Sequence, residues 1–390
     1  MKARRSNGDG AIDKVKRARK DGTIVERWRG RVSVGTDPRT GKPRRITLYA
    51  TKRSELATKI ARLQSDASHG IVPSSERMTV AQYMKRWLED VAAARVRETT
   101  RELYRGLSKN HIEPIIGTRR LDALTPQDVQ NVLASMQRAG KSERTRTLAL
   151  IVLRSALDQA LRWDLVPRNV AQAVDRPRSV RNEMNVLDRT QVQRFLAAAE
   201  GTRYHALYIL ALTTGMRRGE LLGIQWSDVN IEKRTLAVSR SIVTLKGAPV
   251  VAEPKTAAGR RQIDLPETAL RALRSQQAAL LAQGLRASPW VFPNEDGGPM
   301  SPRNLIRRSF LPLLDRIVAA DAGFPRIRFH DLRHTAATLM LALGVQPKVV
   351  QERLGHASIA VTMDTYSHVM PSMQREAADN IEAFFVSLGG

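Results

Sequence analysis

The spacing of the apolar residues changes along the chain, and this change constrains the fold most. Residues 27–34 alternate between apolar and mainly basic positions, which is typical of a strand with two different faces. A turn-rich segment at 35–43 and a second alternating segment at 45–49 complete a predicted hairpin, and 52–67 has helical spacing. From residue 78 onwards the spacing is mostly helical. The pattern predicts a small α+β segment followed by mainly helical domains.

One face of the predicted hairpin is basic. It carries Arg27, Arg29 and Arg31 on the first strand and Arg45 on the second. Residues 1–70 contain 19 Lys or Arg and 7 Asp or Glu, a net charge of +12. A sheet with a helix behind it and arginines in front fits a DNA major groove, so we predict that these four arginines bind DNA. The alternative is a solvated basic segment without a specific partner.

The middle of the chain has the start signals and apolar stripes of helices. Thr79 and Gln82 are spaced as a capping box, and Thr125 precedes a proline at the first helical position. Residues 142–163 follow as a longer helix. We predict an all-helical domain here, with the apolar stripes forming its core.

The last part of the chain is predicted to be mainly helical with a small antiparallel sheet. Asp188 begins a helix after a linker, and residues 204–213 form an almost wholly apolar helix that belongs in a core. Segments 234–244 and 249–265 are interpreted as strands. A chain of 390 residues exceeds an ordinary single domain. The predicted domains are 1–67, 78–172 and 187–390.

Composition narrows the function. The net charge of +26 and the pI of about 11.2 predict a polyanionic partner, with nucleic acid favoured over a membrane surface. We recognise no signal peptide and no apolar run long enough to span a bilayer, so no membrane partner is expected. The absence of cysteine excludes disulfides and thiolate zinc sites and fits a cytoplasmic protein.

The chemistry-bearing residues converge on one tyrosine near the C terminus. Tyr366 follows the motif LGHAS at 354–358 by a short step. A phenol can attack a DNA phosphate, and the phosphotyrosyl bond conserves the energy of the broken linkage, so resealing requires no nucleotide. A tyrosine alone is more often a core or surface residue. The interpretation depends on the residues around it.

Two arginines are candidates for binding the reacting phosphate. Arg217 stands in TGMRRGEL at the end of the apolar helix, and Arg333 stands in HDLRH at 330–334. Guanidinium is always charged and can donate two parallel hydrogen bonds to phosphate oxygens. Glu220 follows Arg217 by one helical turn and is expected to orient it.

His330 and His356 can donate hydrogen bonds to the phosphate or move protons near neutral pH. Lys255 lies in a predicted hairpin and is a candidate general acid for the leaving oxygen. The sequence has no HExxH motif and no clustered carboxylates, so no metal site and no other cofactor are expected.

These motifs, taken in order, resemble those of the tyrosine recombinases, in particular the integrases of phages and conjugative elements that carry an arm-binding domain. The resemblance covers essentially the whole chain. It implies an arm-binding domain, a helical core-binding domain and a catalytic domain in the three predicted regions. By this resemblance the catalytic set is Arg217, Lys255, His330, Arg333, His356 and Tyr366, with Glu220 beside Arg217.

The resemblance also implies a mechanism and partners. Four protomers are expected to assemble on two DNA duplexes and exchange strands through 3′-phosphotyrosyl intermediates, integrating or excising a mobile element. The partners are core and arm attachment sites on double-stranded DNA in a bacterial nucleoid. Whether a DNA-bending host factor or an excisionase sets direction stays open. The apolar tail at 371–390 packs either on a neighbouring protomer, which we favour, or on its own domain.

Two other functions compete with the recombinase. A type IB topoisomerase uses the same tyrosine chemistry without a partner duplex, but the basic segment and helical middle domain favour the recombinase. A DNA-binding regulator with a decayed active site is the second alternative, and the complete catalytic set argues against it.

Overall fold

In the computed structural model, the chain divides into two compact units, Met1–Val180 and Arg181–Gly390. The structure describes residues 12–18, 24–36, 43–68, 78–178, 185–254, 259–366 and 373–388. Each unit has its own buried core.

The first unit begins with a three-stranded antiparallel sheet in the order β1-β2-β3. Its strands are β1 (Ile12–Ala18), β2 (Ile24–Thr36) and β3 (Pro43–Ala50). The predicted hairpin is β2–β3, with Val32 opposite Ile46. Strand β1 was not predicted from the sequence, because its few apolar residues give a weak alternation. This strand is defined by its pairing with β2 along its whole length.

Helix α1 (Arg53–Ser68) covers one face of this sheet. Val32 and Ala50 from the strands are buried with Leu56 and Ile60 from the helix. The alternation read from the sequence is therefore correct, because one strand face is apolar and lies under the helix. The arginines occupy the other face.

The rest of the first unit is helical. The capping boxes at Thr79 and Thr125 are both present, with Pro126 opening its helix as predicted. Tyr83 is fully buried and donates a hydrogen bond from its hydroxyl to the Ala156 carbonyl at 2.6 Å, which ties the first helix to the last long one. The main helices are α2 (Val80–Trp87), α3 (Ala93–Arg95), α4 (Glu98–Leu107), α5 (Glu113–Ile116), α6 (Pro126–Arg138) and α7 (Glu143–Arg162). Short π turns (Leu88–Ala92, Ser108–Ile112) and 3-10 turns (Leu121–Ala123, Val170–Ala173) complete the bundle.

The second unit is built around α9 (His205–Thr214), the apolar helix predicted from the sequence. Nearly all of its side chains are buried. It lies between α8 (Arg189–Ala199), capped by Asp188 and Gln191 as predicted, and α10 (Arg218–Leu222). An apolar helix without a polar face is stable only inside a core, which explains its central place.

The sheet region of this unit differs from the prediction in one respect. Two predicted strands prove to be parts of two small antiparallel sheets, one of three strands and one of two. The first contains β4 (Val229–Asn230), β5 (Thr235–Val238) and β8 (Arg261–Asp264), and the second contains β6 (Ser241–Leu245) and β7 (Ala248–Ala252). The break after Val238 lets β6 turn away and lie against α10.

The remainder is mainly helical, as predicted. Its elements are α11 (Glu267–Ala282), α12 (Pro302–Leu305), a π turn (Ile306–Phe310), α13 (Leu311–Ala320), α14 (Asp331–Ala342), α15 (Pro347–Leu354), α16 (Ile359–Tyr366) and α17 (Met373–Leu388). Helices α14, α15 and α16 enclose a separate small apolar cluster that includes Tyr366. The three predicted domain ranges stay a prediction.

Candidate active site

Arg217 lies in the sharp turn between α9 and α10. Helix α9 ends at Gly215, whose φ of +66° is in the left-handed region that favours glycine. A Cβ on Gly215 would lie 2.5 Å from Cδ2 of the buried Leu354, so a side chain there would force Leu354 to move. The turn brings the start of α10 close to the end of α15 and leaves the Arg217 side chain 41% exposed.

Glu220 holds Arg217 from the first turn of α10. Its carboxylate accepts hydrogen bonds from the backbone N of Arg217 at 3.0 Å and from Nη1 of Arg217 at 2.7 Å. The Glu220 side chain is only 4% exposed. The predicted neighbour of Arg217 is therefore in direct contact with it.

Arg261 is a second partner of Glu220, and no role was predicted for it from the sequence. Its Nη2 donates to Oε2 of Glu220 at 2.9 Å, and its side chain is 8% exposed. Burial by itself would raise the pKa of Glu220, but the two guanidinium groups outweigh it and lower the pKa. The available signal was its place in the Arg-Gln-Ile segment after Lys255.

Arg333 is buried, with 3% of its surface exposed. Its Nη1 donates to the carbonyl of Gly215 at 2.8 Å and its Nη2 to the carbonyl of Leu354 at 2.9 Å. Burial, followed by repulsion from Arg217, lowers its pKa to about 9, so the group stays charged near neutral pH.

The three arginines meet at the C-terminal end of α15. Three consecutive backbone carbonyls there each accept a hydrogen bond from a different arginine side chain. The carbonyl of Arg353 accepts from Nε of Arg261 at 2.6 Å and that of Leu354 from Nη2 of Arg333 at 2.9 Å. The carbonyl of Gly355 accepts from Nη2 of Arg217 at 3.1 Å. The last carbonyls of a helix lack partners within it and carry partial negative charge. This helix end therefore collects positive charge in one place.

The two predicted histidines lie at this site. His356 directly follows Gly355, and its Nδ1 is 2.9 Å from Oγ1 of the buried Thr362. Burial, followed by the charges of Arg333 and Arg217, lowers the pKa of His356 to about 4. A neutral ring bonded through one nitrogen leaves the other free for a substrate.

His330 precedes α14 and has one side open to solvent. It lines a pocket of about 510 Å³ together with Arg217, Arg218 and Phe310. Loss of hydration on its enclosed side, followed by the charges of His334 and Arg333, lowers the pKa of His330 to about 4. Both predicted histidines are therefore neutral near pH 7 in this state.

Tyr366 ends α16 and is 1% exposed. Its ring packs with Ala337, Leu341, Val350 and Leu354. Its hydroxyl is 2.7 Å from Nδ1 of His334, a residue that was not singled out from the sequence. Burial raises the pKa of Tyr366 to about 12, although Arg333 opposes this rise.

The remaining predicted residues lie elsewhere. Lys255 falls outside the described residues, so its role stays a prediction. In the N-terminal sheet, Arg27, Arg31 and Arg45 are exposed. Arg29 is partly buried and forms an ion pair with Asp13 on the neighbouring strand, so it offers less charge to a partner.

Within the part of the chain that the structure describes, no group of three or more His, Cys, Asp or Glu side chains is placed to hold a metal ion. None of the helices described has the length and apolar character needed to cross a membrane.

Two family models match the sequence. The Phage integrase family matches residues 185–373, and the Phage integrase, N-terminal SAM-like domain matches residues 79–137. A Tyrosine recombinase XerC-like protein of Caldanaerobacter subterraneus is 26% identical over 387 residues, covering 93% of this chain and 97% of the relative. An integrase of Streptomyces ambofaciens is 29% identical over 403 residues, covering 97% of both chains.

Solved structures share the fold. The Tn1549 transposon integrase in complex with a circular intermediate DNA superposes with a TM-score of 0.65 at 22% identity, covering 78% of this chain and 99% of that one. A lambda integrase tetramer bound to a Holliday junction gives a TM-score of 0.59 at 18% identity, covering 90% and 94%.

Proposed function

Because the chain belongs to the tyrosine recombinase family and is a site-specific DNA recombinase of the integrase type, we propose that Tyr366 is its nucleophile. The observation that carries this proposal is the convergence of Arg217, Arg261 and Arg333 on one helix end. The next helix along the chain, α16, ends in the tyrosine.

The proposed reaction is a phosphoryl transfer to the tyrosine oxygen. The Tyr366 oxygen attacks the phosphorus, the bond to the 5′ oxygen breaks, and a 3′-phosphotyrosyl bond and a free 5′ hydroxyl form. The phenol loses its proton to solvent or a neighbouring base, and the leaving oxygen gains one from Lys255. Attack by a 5′ hydroxyl from another strand reverses the step and joins the new partners.

Arg217 and Arg333 are proposed to bind the two non-bridging oxygens. The phosphorane carries more negative charge than the phosphodiester, so fixed cations stabilise the transition state more than the substrate. Arg333 is held rigidly by two carbonyls, and Arg217 is held by Glu220. Such preorganised donors need little rearrangement when charge develops.

The neutral histidines are proposed to donate hydrogen bonds to the phosphate. His356 is bonded to Thr362 through Nδ1, so its Nε2 is available to the substrate. His330 lines the open pocket beside Arg217. An adjacent phosphate would raise the pKa of both rings and strengthen them as donors.

DNA binding is proposed to use both units. The exposed Arg27, Arg31 and Arg45 are the candidates for arm-site contacts, and the helical segment 78–172 and the second unit would bind the core site. Two linked modules on one DNA raise the effective concentration of each other's site. We place this activity on bacterial DNA in the cytoplasm.

Strand exchange is proposed to proceed in a tetramer. The tail helix α17 supports protomer contacts, because Ile381, Phe384, Phe385 and Val386 are each more than half exposed in the single chain. Exposed apolar residues in one cluster are typical of an interaction surface.

A nicked suicide substrate tests the proposed nucleophile. Cleavage releases a short fragment and traps the enzyme on DNA, so we expect a covalent adduct with the unchanged chain and none with Tyr366→Phe. Arg217→Ala and Arg333→Ala should retain DNA binding and lose adduct formation by about 100-fold or more. Equal loss of binding and cleavage would show that these arginines are general phosphate contacts.

Assays of the unchanged chain also separate the recombinase from the topoisomerase and from the DNA-binding regulator. Relaxation of supercoiled DNA without recombinant products would indicate a topoisomerase, and binding without an adduct would indicate a regulator.

Removing residues 1–67 should spare core-site cleavage and abolish arm-site binding. Arm binding that survives the truncation would contradict the role given to the arginines of the sheet.

A further inference from the structure

His334 is the one titratable side chain at this site with a described contact to the tyrosine hydroxyl. Its Nδ1 lies 2.7 Å from that hydroxyl, and the two ring centroids are 5.8 Å apart. We propose that His334 is a positioning residue that holds the Tyr366 oxygen in place for attack. The proposal rests on the proposed function of Tyr366.

The surroundings of the tyrosine make this hydrogen bond important. The ring is enclosed by apolar side chains from α14 and α15, including Leu341 and Leu354. Apolar packing restrains the ring plane but offers the hydroxyl no partner. A buried hydroxyl without a partner is unfavourable, so removal of the His334 acceptor would drive the phenol to another orientation.

The neutral state of the His334 ring favours its role as a hydrogen-bond acceptor. Charged and titratable groups surround it on three sides. On its own helix and the turn before it these are Asp331, Arg333, Arg328 and His330, the last at a ring distance of 5.0 Å. His356 interacts with it from the segment after α15, and Tyr366 from α16. Burial lowers the pKa of His334, so its ring is neutral near pH 7. With the hydrogen on Nε2, the Nδ1 lone pair accepts from the phenol.

The pKa values of the two side chains indicate that His334 holds the phenol and does not deprotonate it. The pKa of Tyr366 is raised to about 12, whereas that of His334 is lowered from its ordinary value. The proton therefore stays on the Tyr366 oxygen in the DNA-free chain.

Neighbouring residues connect this hydrogen bond to the phosphate site. Arg333 directly precedes His334 and is anchored to the carbonyls of Gly215 and Leu354. The oxygen of Tyr366 is therefore held by the same turn of α14 that positions the phosphate-binding guanidinium. An error of about 1 Å in such an alignment can reduce a rate by about 100-fold.

Single-turnover cleavage of the nicked substrate by His334→Leu and His334→Asn tests the proposal. Leucine fills the space without accepting a hydrogen bond, whereas the asparagine amide oxygen can stand close to the position of Nδ1. We expect the leucine variant to lose about 10- to 100-fold in adduct formation at unchanged DNA affinity, and asparagine to recover most of that loss. His205→Leu, at a partly buried histidine away from the site, is the matched control.

A substrate with sulfur in place of the 5′ bridging oxygen gives a second measurement. Sulfur leaves without a proton, so it rescues defects in leaving-group protonation but not defects in the nucleophile. The leucine variant should remain slow on this substrate. Rescue by sulfur would overturn the proposal and place His334 at the leaving group.

Two further outcomes would also overturn it. One is a folded leucine variant that cleaves as fast as the unchanged chain. The other is an asparagine variant as slow as leucine, with the same thermal transition and DNA affinity as the unchanged chain. Adduct formation by the unchanged chain and its absence in Tyr366→Phe are measured alongside, so failure of the proposed nucleophile is recognised separately.

Discussion

Arg261 and Glu220 form an ion pair at 2.9 Å, and both side chains are almost completely removed from solvent. The pair joins strand β8 to the first turn of α10, and Glu220 also binds Arg217. A buried carboxylate that loses one partner keeps its desolvation cost without the compensating charge. Through Glu220, Arg261 therefore helps to hold the Arg217 side chain in position.

We expect Arg261→Leu to lower the free energy of unfolding by about 3 kcal/mol and to reduce cleavage, because Glu220 would then orient Arg217 less well. Urea unfolding and single-turnover cleavage measure the two effects. The neighbouring Arg260→Leu is the control, since its ion pair with Glu253 is exposed and worth less than about 1 kcal/mol. Equal effects of both substitutions would contradict the support role.

Gly215→Ala should damage both stability and cleavage. Its φ of +66° is unfavourable for alanine, and the added carbon would meet Leu354 at 2.5 Å. We expect a loss of about 2 to 4 kcal/mol in unfolding free energy and slower cleavage, because the Gly215 carbonyl holds Arg333.

Gly140→Ala separates the backbone strain of a positive φ from the crowding by Leu354 as causes of the lost unfolding free energy. Gly140 has a similar φ of +67°, but a Cβ there meets nothing within 4 Å. It should therefore show only the backbone cost of about 1 kcal/mol and no change in cleavage. A loss as large as that of Gly215→Ala would mean that crowding by Leu354 is unimportant.

Thr362→Val should slow cleavage without weakening DNA binding. The substitution keeps the shape of the buried side chain but removes the hydroxyl that bonds Nδ1 of His356, so the ring loses its fixed orientation. We expect a decrease of about 10-fold in adduct formation. Thr338→Val is the control, because its buried hydroxyl has no partner among the described residues. Unaltered cleavage in Thr362→Val would rule out this dependence.

Acid should destabilise the fold partly through His356. Its folded-state pKa of about 4 lies below the ordinary value of 6.5, so the unfolded chain binds a proton first as pH falls between these values. From about pH 7 to about pH 5 we expect this residue to account for a loss of about 1 to 2 kcal/mol. Urea unfolding of His356→Asn at about pH 7 and about pH 5 should show a correspondingly smaller decrease in the free energy of unfolding. The same decrease in both proteins would contradict the assignment.

The tail helix should contribute to assembly and not to the stability of the single chain. Phe384 and Phe385 are 59% and 62% exposed, so replacing both with serine removes little buried area. We expect unchanged urea unfolding and fewer multimeric complexes on DNA in native gels. Glu382→Gln on the same helix is the control. A clear loss of monomer stability would favour the alternative in which the tail packs on its own domain.

Much of the secondary structure followed from local patterns. The capping box at Thr79, the helix start at Thr125, the apolar α9 and the two-faced β2–β3 hairpin depend on residues close in sequence, and local patterns record such contacts directly. Strand β1 and the division of the second unit's strands into two sheets were missed. Both depend on pairing between segments, which alternation in a single segment does not encode.

The sequence by itself identified the residue types of the site and the family, since the motifs around Arg217, Arg333, His356 and Tyr366 occur in the expected order. Only the tertiary structure decided that consecutive carbonyls at the end of α15 gather three arginines, and that His334 contacts the tyrosine hydroxyl. It also decided the charge states, because burial sets the pKa values of the histidines and the phenol. The physical reason is that a motif specifies which groups are present, whereas packing between distant segments determines their distances and their hydration.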